Sequence, residues 1–520
     1  MVWGYGQSVD IGHPGDRNGF ESRWWNRIRA AGRIGAPIFL GLIALSAFLS
    51  VNTFPVITND SVLYLDHSRY LAEGGWVTYG YRQVGYPLVL ALGRWTAHLL
   101  GADPLLFIAV AQRLLLAASV VLAWWFWRWW ALPFLVILLA AQTIAYSNFL
   151  LTEGLALPLA ALLVFPTVQF VRILTSETSV DHTRRLRLLG SLIVVGVLAL
   201  YSLRFTFVVF GFIPLGLVVA AWRTPHRRLT LTMVGALVVL GGLFTVAVSS
   251  ENRGEVGVFT PSAGGQPVQY YFAWRQVFTV HPENGANPEL AEYFDGGQVH
   301  DFSREVSGMD LSYQEQAAVF DREIESMLDA AGIPVLGSKV EAVFASLAGG
   351  RLDDLKAAVE AVVASRRPDV DGLINLNQFA TQNGAGAFAD EYNDSQLPEA
   401  VITDPIGVLP PIPPSRSVTA VLLPLALLVM LAGLLFRRTR IISMIGLSVM
   451  VSFAAGVGWL RADNLRFLMP TTVFALGVGS ATFQIMISKP LGSGAPRDLS
   501  GGKRTITLTR RERPVAQSLE

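Results

Sequence analysis

The chain has 520 residues, of which 52% are hydrophobic and only 15% charged, and its formal net charge is +1. This composition excludes an ordinary water-soluble enzyme and points to a polytopic membrane protein. Cysteine is absent, which excludes disulfides and thiolate metal sites.

Residues 1–33 are largely polar and basic, with Arg23, Arg27, Arg29 and Arg33, and are too long for the n-region of a cleaved signal peptide. They read as a cytoplasmic N-terminus ahead of a retained first span. Ten apolar stretches of roughly 17 to 21 residues follow, each long enough to cross a hydrocarbon core of about 30 Å. They run from Ile34 to Val51, Leu105 to Trp125, Ala131 to Ser147, Leu155 to Val171, Leu188 to Leu203, Phe205 to Trp222 and Leu229 to Val248. The last three are Val418 to Phe436, Ile441 to Leu460 and Phe467 to Ile487. Between the first two lies Pro87 to Leu100, too short to span comfortably and carrying Arg94 and His98, so it is expected to lie in the interface.

That parity puts the arginine-rich connections on the cytoplasmic side: Arg128, then Arg184, Arg185 and Arg187, then Arg223, Arg227 and Arg228, then Arg437, Arg438 and Arg440. The positive-inside rule is then obeyed throughout, whereas counting Pro87 to Leu100 as a span would invert the later loops. Trp124, Trp125, Trp127, Trp129 and Trp130 read as an aromatic belt. Arg113, beside Gln112, lies well within the second span, where its charge demands a partner or a wet cavity.

The segment Ser249 to Ser417 holds 25 of the 39 acidic residues and 10 of the 40 basic ones, a net charge of about −15. It is expected outside, as a small, mainly helical domain, with helices over Tyr313 to Ala331 and Val340 to Ala364. Turn formers crowd Pro282 to Gly297 and Asn377 to Pro414. The expected organisation is therefore a basic N-terminus (1–33), a seven-span catalytic module (34–248) with its loop at 52–104, the acidic domain (249–417), three further spans (418–487) and a basic cytoplasmic tail (488–520). Arginine outnumbers lysine 36 to 4, which suggests a GC-rich bacterial genome.

No phosphate-binding P-loop, zinc H-E-x-x-H or nucleophile elbow occurs, and the seven histidines are scattered singly. The ionisable and aromatic residues concentrate instead at DSVLYLDHSRYLAEGGWVTYGYRQVGYP, from Asp60 to Pro87, just beyond the first span. By itself Asp60 is also a plain helix N-cap ahead of Ser61. Glu153 opens a span in NFLLTEGLALPL, Arg204 ends the fifth, and Arg461 and Arg466 lie in WLRADNLRFLMP. Arg461 is expected to pair with Asp463.

The order Asp60, Tyr64, Arg82, Gly85, Tyr86, Pro87 resembles the first external loop of GT-C class membrane glycosyltransferases, the bacterial lipid-linked-sugar transferases and the dolichyl-phosphate-mannose-protein mannosyltransferases. Thr152, Glu153 and Gly154 are similar to that family's Leu-Leu-Ser/Thr-Glu-Pro element, with glycine for proline. Ser202 to Phe205 and Arg466 to Pro470 stand where it has Thr-Arg-Pro and Arg-Tyr-Leu-Leu-Pro elements. The resemblance implies an all-α, GT-C-like bundle of about ten transmembrane helices with an interfacial helical first external loop. It makes Asp60 the catalytic base and places Glu153 beside it. Arg204, Arg466 and Arg82 would bind the donor phosphate, and Tyr64 and Tyr86 the acceptor. Tyr271 and Trp274 lie outside the resemblance and are open to two readings, stacking on an acceptor sugar or packing against the bundle.

The activity so implied is inverting transfer of a sugar from a polyprenyl-phosphate donor to a glycan, lipid or protein acceptor, at the extracytoplasmic face of a bacterial cytoplasmic membrane. No soluble cofactor is expected. The family's paired acidic motif is reduced to Asp60, Ser61 and Val62, so metal dependence stays open, as does the choice against a flippase for lipid-linked glycan or a non-catalytic envelope-assembly protein. Partners would be the donor, the acceptor and membrane lipids, without nucleic acid.

Overall fold

A computed structural model describes residues 38–49, 51, 55, 59–72, 83–175, 183–261, 265–293, 302–303, 305–306, 308–350, 415–461 and 465–487. The described residues form an all-α, multi-pass membrane protein. Six helices are long and apolar enough to cross a membrane by themselves, and three shorter apolar helices, Ile38–Leu49, Phe205–Ala221 and Thr419–Gly433, accompany them.

In chain order the first elements are α1 (Ile38–Leu49), α2 (Asn59–Ala72), α3 (Gly85–Leu100) and α4 (Pro104–Trp127). Gly101 ends α3 in the left-handed region, φ 63°, and Asp103 caps α4 by accepting from the Leu106 N–H at 2.8 Å, with Pro104 pre-setting the first turn. α3 exposes Leu88, Leu92, Trp95 and Leu99, a ridge at helical spacing.

The expected third span is not one helix. Arg128 turns the chain at φ 53°, after which α5 (Leu132–Leu138) and α6 (Ala141–Tyr146) are separated by a break at Leu139 and Ala140. At about 1.5 Å per residue neither piece approaches the thickness of a bilayer. Uniform apolarity hid the break, because Leu138 to Ala141 are all buried inside the protein. The tryptophan belt is corrected too. Trp125, Trp129 and Trp130 are exposed, but Trp127 is fully buried and stacks on Phe165 at 5.1 Å between ring centroids.

Next come α7 (Thr152–Thr175), α8 (Thr183–Leu203), a 3-10 stretch (Phe205–Gly211), α9 (Phe212–Ala221) and α10 (Arg227–Val256). The last three spans are α14 (Ser415–Gly433), α15 (Arg440–Trp459) and α16 (Leu465–Ile487). α7 and α16 are the most enclosed and pack on each other. A Cβ at Gly477 of α16 would stand only 2.9 Å from Val164 of α7, the close approach that small residues permit between membrane helices.

The acidic segment contributes α11 (Gly265–Arg275), short turns of helix over Gln276–Tyr293, α12 (Tyr313–Ala330) and α13 (Val335–Leu347). A capping box starts α12: Ser312 Oγ accepts from the Glu315 N–H, and Glu315 accepts from the Ser312 N–H at 2.8 Å. Tyr270, Val277, Leu290, Tyr293, Phe320, Ile324 and Met327 form a separate small core. The second helix expected here begins and ends earlier than its periodicity indicated. Pro334 opens it, and Gly349 and Gly350, at φ 112° and 79°, end it, since those conformations leave the helical region. Residues 351–364, the rest of the expected helix, lie outside the described residues.

Candidate active site

Segments far apart in sequence meet at one end of the bundle. α2 lies against α3 through Tyr64 and Tyr86, whose rings meet edge to face at 5.2 Å. Both are buried. The Tyr86 hydroxyl donates to Gln112 Oε1 at 3.0 Å, and Gln112 Nε2 donates to the carbonyls of Ser147 (2.9 Å) and Phe149 (3.2 Å). One amide side chain thus ties the head of α3 to the loop that leads into α7. Burial, together with the negative charge or potential charge of Tyr64 and Glu153, holds the Tyr86 phenol well above its ordinary range, so it stays a donor.

Arg113, next to Gln112, answers its burial with carbonyls. It donates to Val51 O at 2.8 Å, Phe48 O at 3.2 Å and Asn148 Oδ1 at 2.8 Å. The guanidinium therefore closes the C-terminal end of α1, where the last carbonyls of a helix lack intrahelical partners.

At the head of α7, Glu153 is buried, and its Oε1 accepts from Arg204 Nη1 at 2.7 Å while Oε2 accepts from Thr152 Oγ1 at 3.0 Å. Arg204 follows the last residue of α8 in extended conformation, φ −159°, which turns its side chain out of the helix direction. Its guanidinium lies 4.2 Å over the Phe467 ring at the start of α16. Phe467 meets Phe272 of α11 edge to face at 5.7 Å, Phe272 meets Tyr271 at 5.4 Å, and Tyr271 stacks with Trp274 at 6.3 Å. A line of contacts therefore joins the carboxylate to the acidic segment. Arg204 is 24% exposed at its side chain against 2% for Glu153, and makes no further hydrogen bond to a described residue. One edge of the guanidinium faces outward from a carboxylate that cannot hydrate.

Two glycines allow these approaches. A Cβ at Gly85 would lie 2.5 Å from the Ser202 carbonyl oxygen, which locks the start of α3 against the end of α8. A Cβ at Gly154 would lie 2.6 Å from the Phe149 carbonyl oxygen, and the Gly154 N–H donates to Leu151 O at 3.0 Å. Proline could satisfy neither condition here. That is the physical reason for glycine where the resembling element has proline.

The other expected site residues fall as follows. Asp60 is the second residue of α2, one turn before Tyr64, and Arg466 is the second residue of α16; their side chains are outside the described part. Arg82 and Asp463 lie outside the described residues. Trp274 donates from Nε1 to Tyr293 O at 2.7 Å, inside the acidic segment's own packing. Arg461, at φ 56°, donates from Nε to Ser338 Oγ of α13 at 2.8 Å. Among the described residues no three His, Asp or Glu side chains are grouped to hold a metal ion.

A cavity of about 450 Å³ opens between α8, the 3-10 stretch with α9, and α10, reaching Tyr201 in the last turn of α8. Val197, Val208, Phe212, Val234 and Val238 line it, and Gly241 and Gly242 leave its floor without side chains. Its polar element is Tyr201, which donates to Thr245 Oγ1 at 2.5 Å, Thr245 itself donating to Gly241 O. Nothing in a plain apolar run marks this cavity. Gln112, by contrast, was visible as a second polar residue within the fourth helix, although its three partners were not.

Among solved structures the chain is similar to the crystal structure of ArnT from Cupriavidus metallidurans bound to undecaprenyl phosphate, at 18% identity over 87% of this chain and 78% of that one, with a TM-score of 0.32. A score that low carries no argument about architecture or chemistry. No protein-family model matches the chain, and no curated protein does.

Proposed function

We propose that the chain is a GT-C type glycosyltransferase that moves a sugar from a polyprenyl-phosphate donor to a glycan, lipid or protein acceptor on the extracytoplasmic side, with inversion at the anomeric carbon. One observation carries this reading. The described parts of the elements that resemble the family, at 60–72, 83–87, 152–154, 202–205 and 465–470, are drawn to the same end of the bundle, and Glu153 of one touches Arg204 of another.

In this reading the Asp60 carboxylate takes the proton of the acceptor hydroxyl. The freed oxygen pair bonds to the anomeric carbon as the bond from that carbon to the phosphate oxygen breaks, and polyprenyl phosphate leaves with that electron pair. The leaving group is already a stable anion, so it calls for positive charge rather than a general acid. Arg204 supplies it from the guanidinium edge that Glu153 does not use, and Arg466 and Arg82 are assigned to the same phosphate on the family resemblance alone. Glu153 acts by fixing the guanidinium plane. The apolar cavity by Tyr201 takes part of the donor's lipid tail, and the acceptor lies between the first loop and the acidic segment near Tyr271 and Trp274.

The test is purified full-length protein in detergent, given polyprenyl-phosphate sugars and acceptor glycan without ATP. Release of polyprenyl phosphate in step with new glycoside is expected. Lack of product with every sugar donor, together with movement of the carrier across sealed vesicles, would replace this reading with a flippase.

A further inference from the structure

Part of the acidic segment packs against the membrane helices. Its helix α13 runs along the membrane helix α15 in the opposite direction. Ser338 meets Arg461, and five residues further on Val343 meets Gly458, where a Cβ on the glycine would stand 2.6 Å from the Val343 nitrogen. Going forward along α13 therefore means going back along α15, into the bundle. The end of α13 agrees. A Cβ at Gly349 would lie 3.1 Å from Ala420 Cα, more than a turn inside α14, which begins at Ser415.

The two faces of α13 differ in the way a membrane environment requires. Ser338, Ala342 and Ser346, spaced four apart, are buried. Small residues at that spacing let helix backbones approach closely where no hydrophobic effect drives them together. On another face Leu336, Val340 and Phe344, also four apart, are 64%, 44% and 67% exposed, with no charged residue among them. Val421 of α14, next to the residue that Gly349 meets, is 67% exposed as well. Lys339 extends its ammonium over the Trp459 ring at 4.0 Å, a cation and an amphipathic ring together at the end of α15, as at a headgroup boundary.

From these relations we infer that α13 dips into the bilayer and that lipid acyl chains cover the Val340 and Phe344 part of the ridge, with Leu336 and Lys339 at headgroup level and Phe344 deepest. Thirteen residues make a helix of about 20 Å, too short to cross a core of about 30 Å. The helix bends by 87° from α12, which leaves α12 in the small core outside the ridge. The acidic segment is thereby tethered to the membrane at the end of the bundle that holds Glu153 and Arg204. This inference rests on the membrane architecture and is independent of the catalytic reading.

The absence of cysteine makes the test direct. Single cysteines at Leu336, Val340 and Phe344 in the full chain, in phospholipid nanodiscs, would carry a nitroxide, with Val451 of α15 and Glu325 of α12 as lipid and water references. Labels at 340 and 344 are expected to collide severalfold more with oxygen, relative to a water-soluble nickel complex, than the label at 325, and depth should increase from 336 to 344. Nickel accessibility equal to that at 325 would overturn the inference, as would labels shielded from both, which would mean that protein covers the ridge. A benzophenone amino acid at Phe344 preserves an aromatic side chain and gives a second reading. A phospholipid adduct by mass supports the inference, and an adduct only to another polypeptide chain overturns it.

Discussion

Glu153 and Arg204 meet at 2.7 Å across 51 residues of sequence, and the two ends of the contact differ in their access to water. The carboxylate is 2% exposed and the guanidinium 24%. Removing the cation takes the Arg204 ion pair from a buried carboxylate, whereas removing the anion leaves a guanidinium that water can reach. Arg204→Leu is therefore expected to destabilise by about 3–5 kcal/mol and Glu153→Leu by distinctly less, with the double variant recovering part of the Arg204→Leu loss. Thermal unfolding in detergent reads all three. Equal losses from the two single variants would mean that the pair is not held as a buried carboxylate.

Asp60→Asn should leave folding and donor binding intact while lowering sugar transfer about 10²- to 10⁴-fold, the usual range for loss of a general base. Single-turnover transfer with saturating acceptor measures it. Transfer within about twofold of the parent, far short of that range, would reduce Asp60 to an acidic residue in the first turn of α2, where it complements the helix dipole.

Gly154→Pro, which would restore the proline of the resembling element, is expected to destabilise by about 3 kcal/mol or more. It removes the N–H donated to Leu151 and drives a Cβ into the Phe149 carbonyl. Gly85→Ala should cost a comparable amount, because its neighbour is the Ser202 backbone, which cannot rotate away. Unchanged melting of either variant would show that the helix heads are further apart than described.

Tyr86 makes a pH prediction. Burial and its neighbours raise the folded pKa above the phenol's ordinary 10.0, so the folded state keeps its proton where the unfolded state loses it. Stability from this group is full below about pH 10 and falls as pH climbs from there toward the folded pKa. Tyr86→Phe should flatten that alkaline slope, at the cost of leaving Gln112 Oε1 without its donor. Melting temperatures between about pH 8 and 11 compare the two, and identical slopes would place the Tyr86 hydroxyl in contact with water.

Sidedness is tested by single cysteines at Ala286 and Gly494 in intact cells, with an impermeant thiol reagent. Charge partition across the chain predicts labelling at 286 and protection at 494. The reverse would mean that the helix from Gly85 to Leu100 crosses the membrane.

Composition and periodicity were enough to determine a helical membrane protein and the approximate place of most of its spans, because an apolar run of bilayer length has few other physical solutions. They also singled out Glu153, Arg204 and Arg113, since a charge beside or within an apolar run is expensive and therefore conspicuous. What they met, however, was a matter of three-dimensional approach. That Arg113 would reach the carbonyls of Phe48 and Val51 at the end of α1, and that Arg204 would lie on both Glu153 and Phe467, depends on how α1, α4, α7, α8 and α16 pack. The same holds for the break at Leu139, invisible because apolar residues serve equally well facing lipid and facing protein. It holds for α13, whose acidic surroundings predicted water while its small-residue face found α15. Hydropathy records whether a residue avoids water; only the tertiary structure decides whether lipid or another helix keeps the water away.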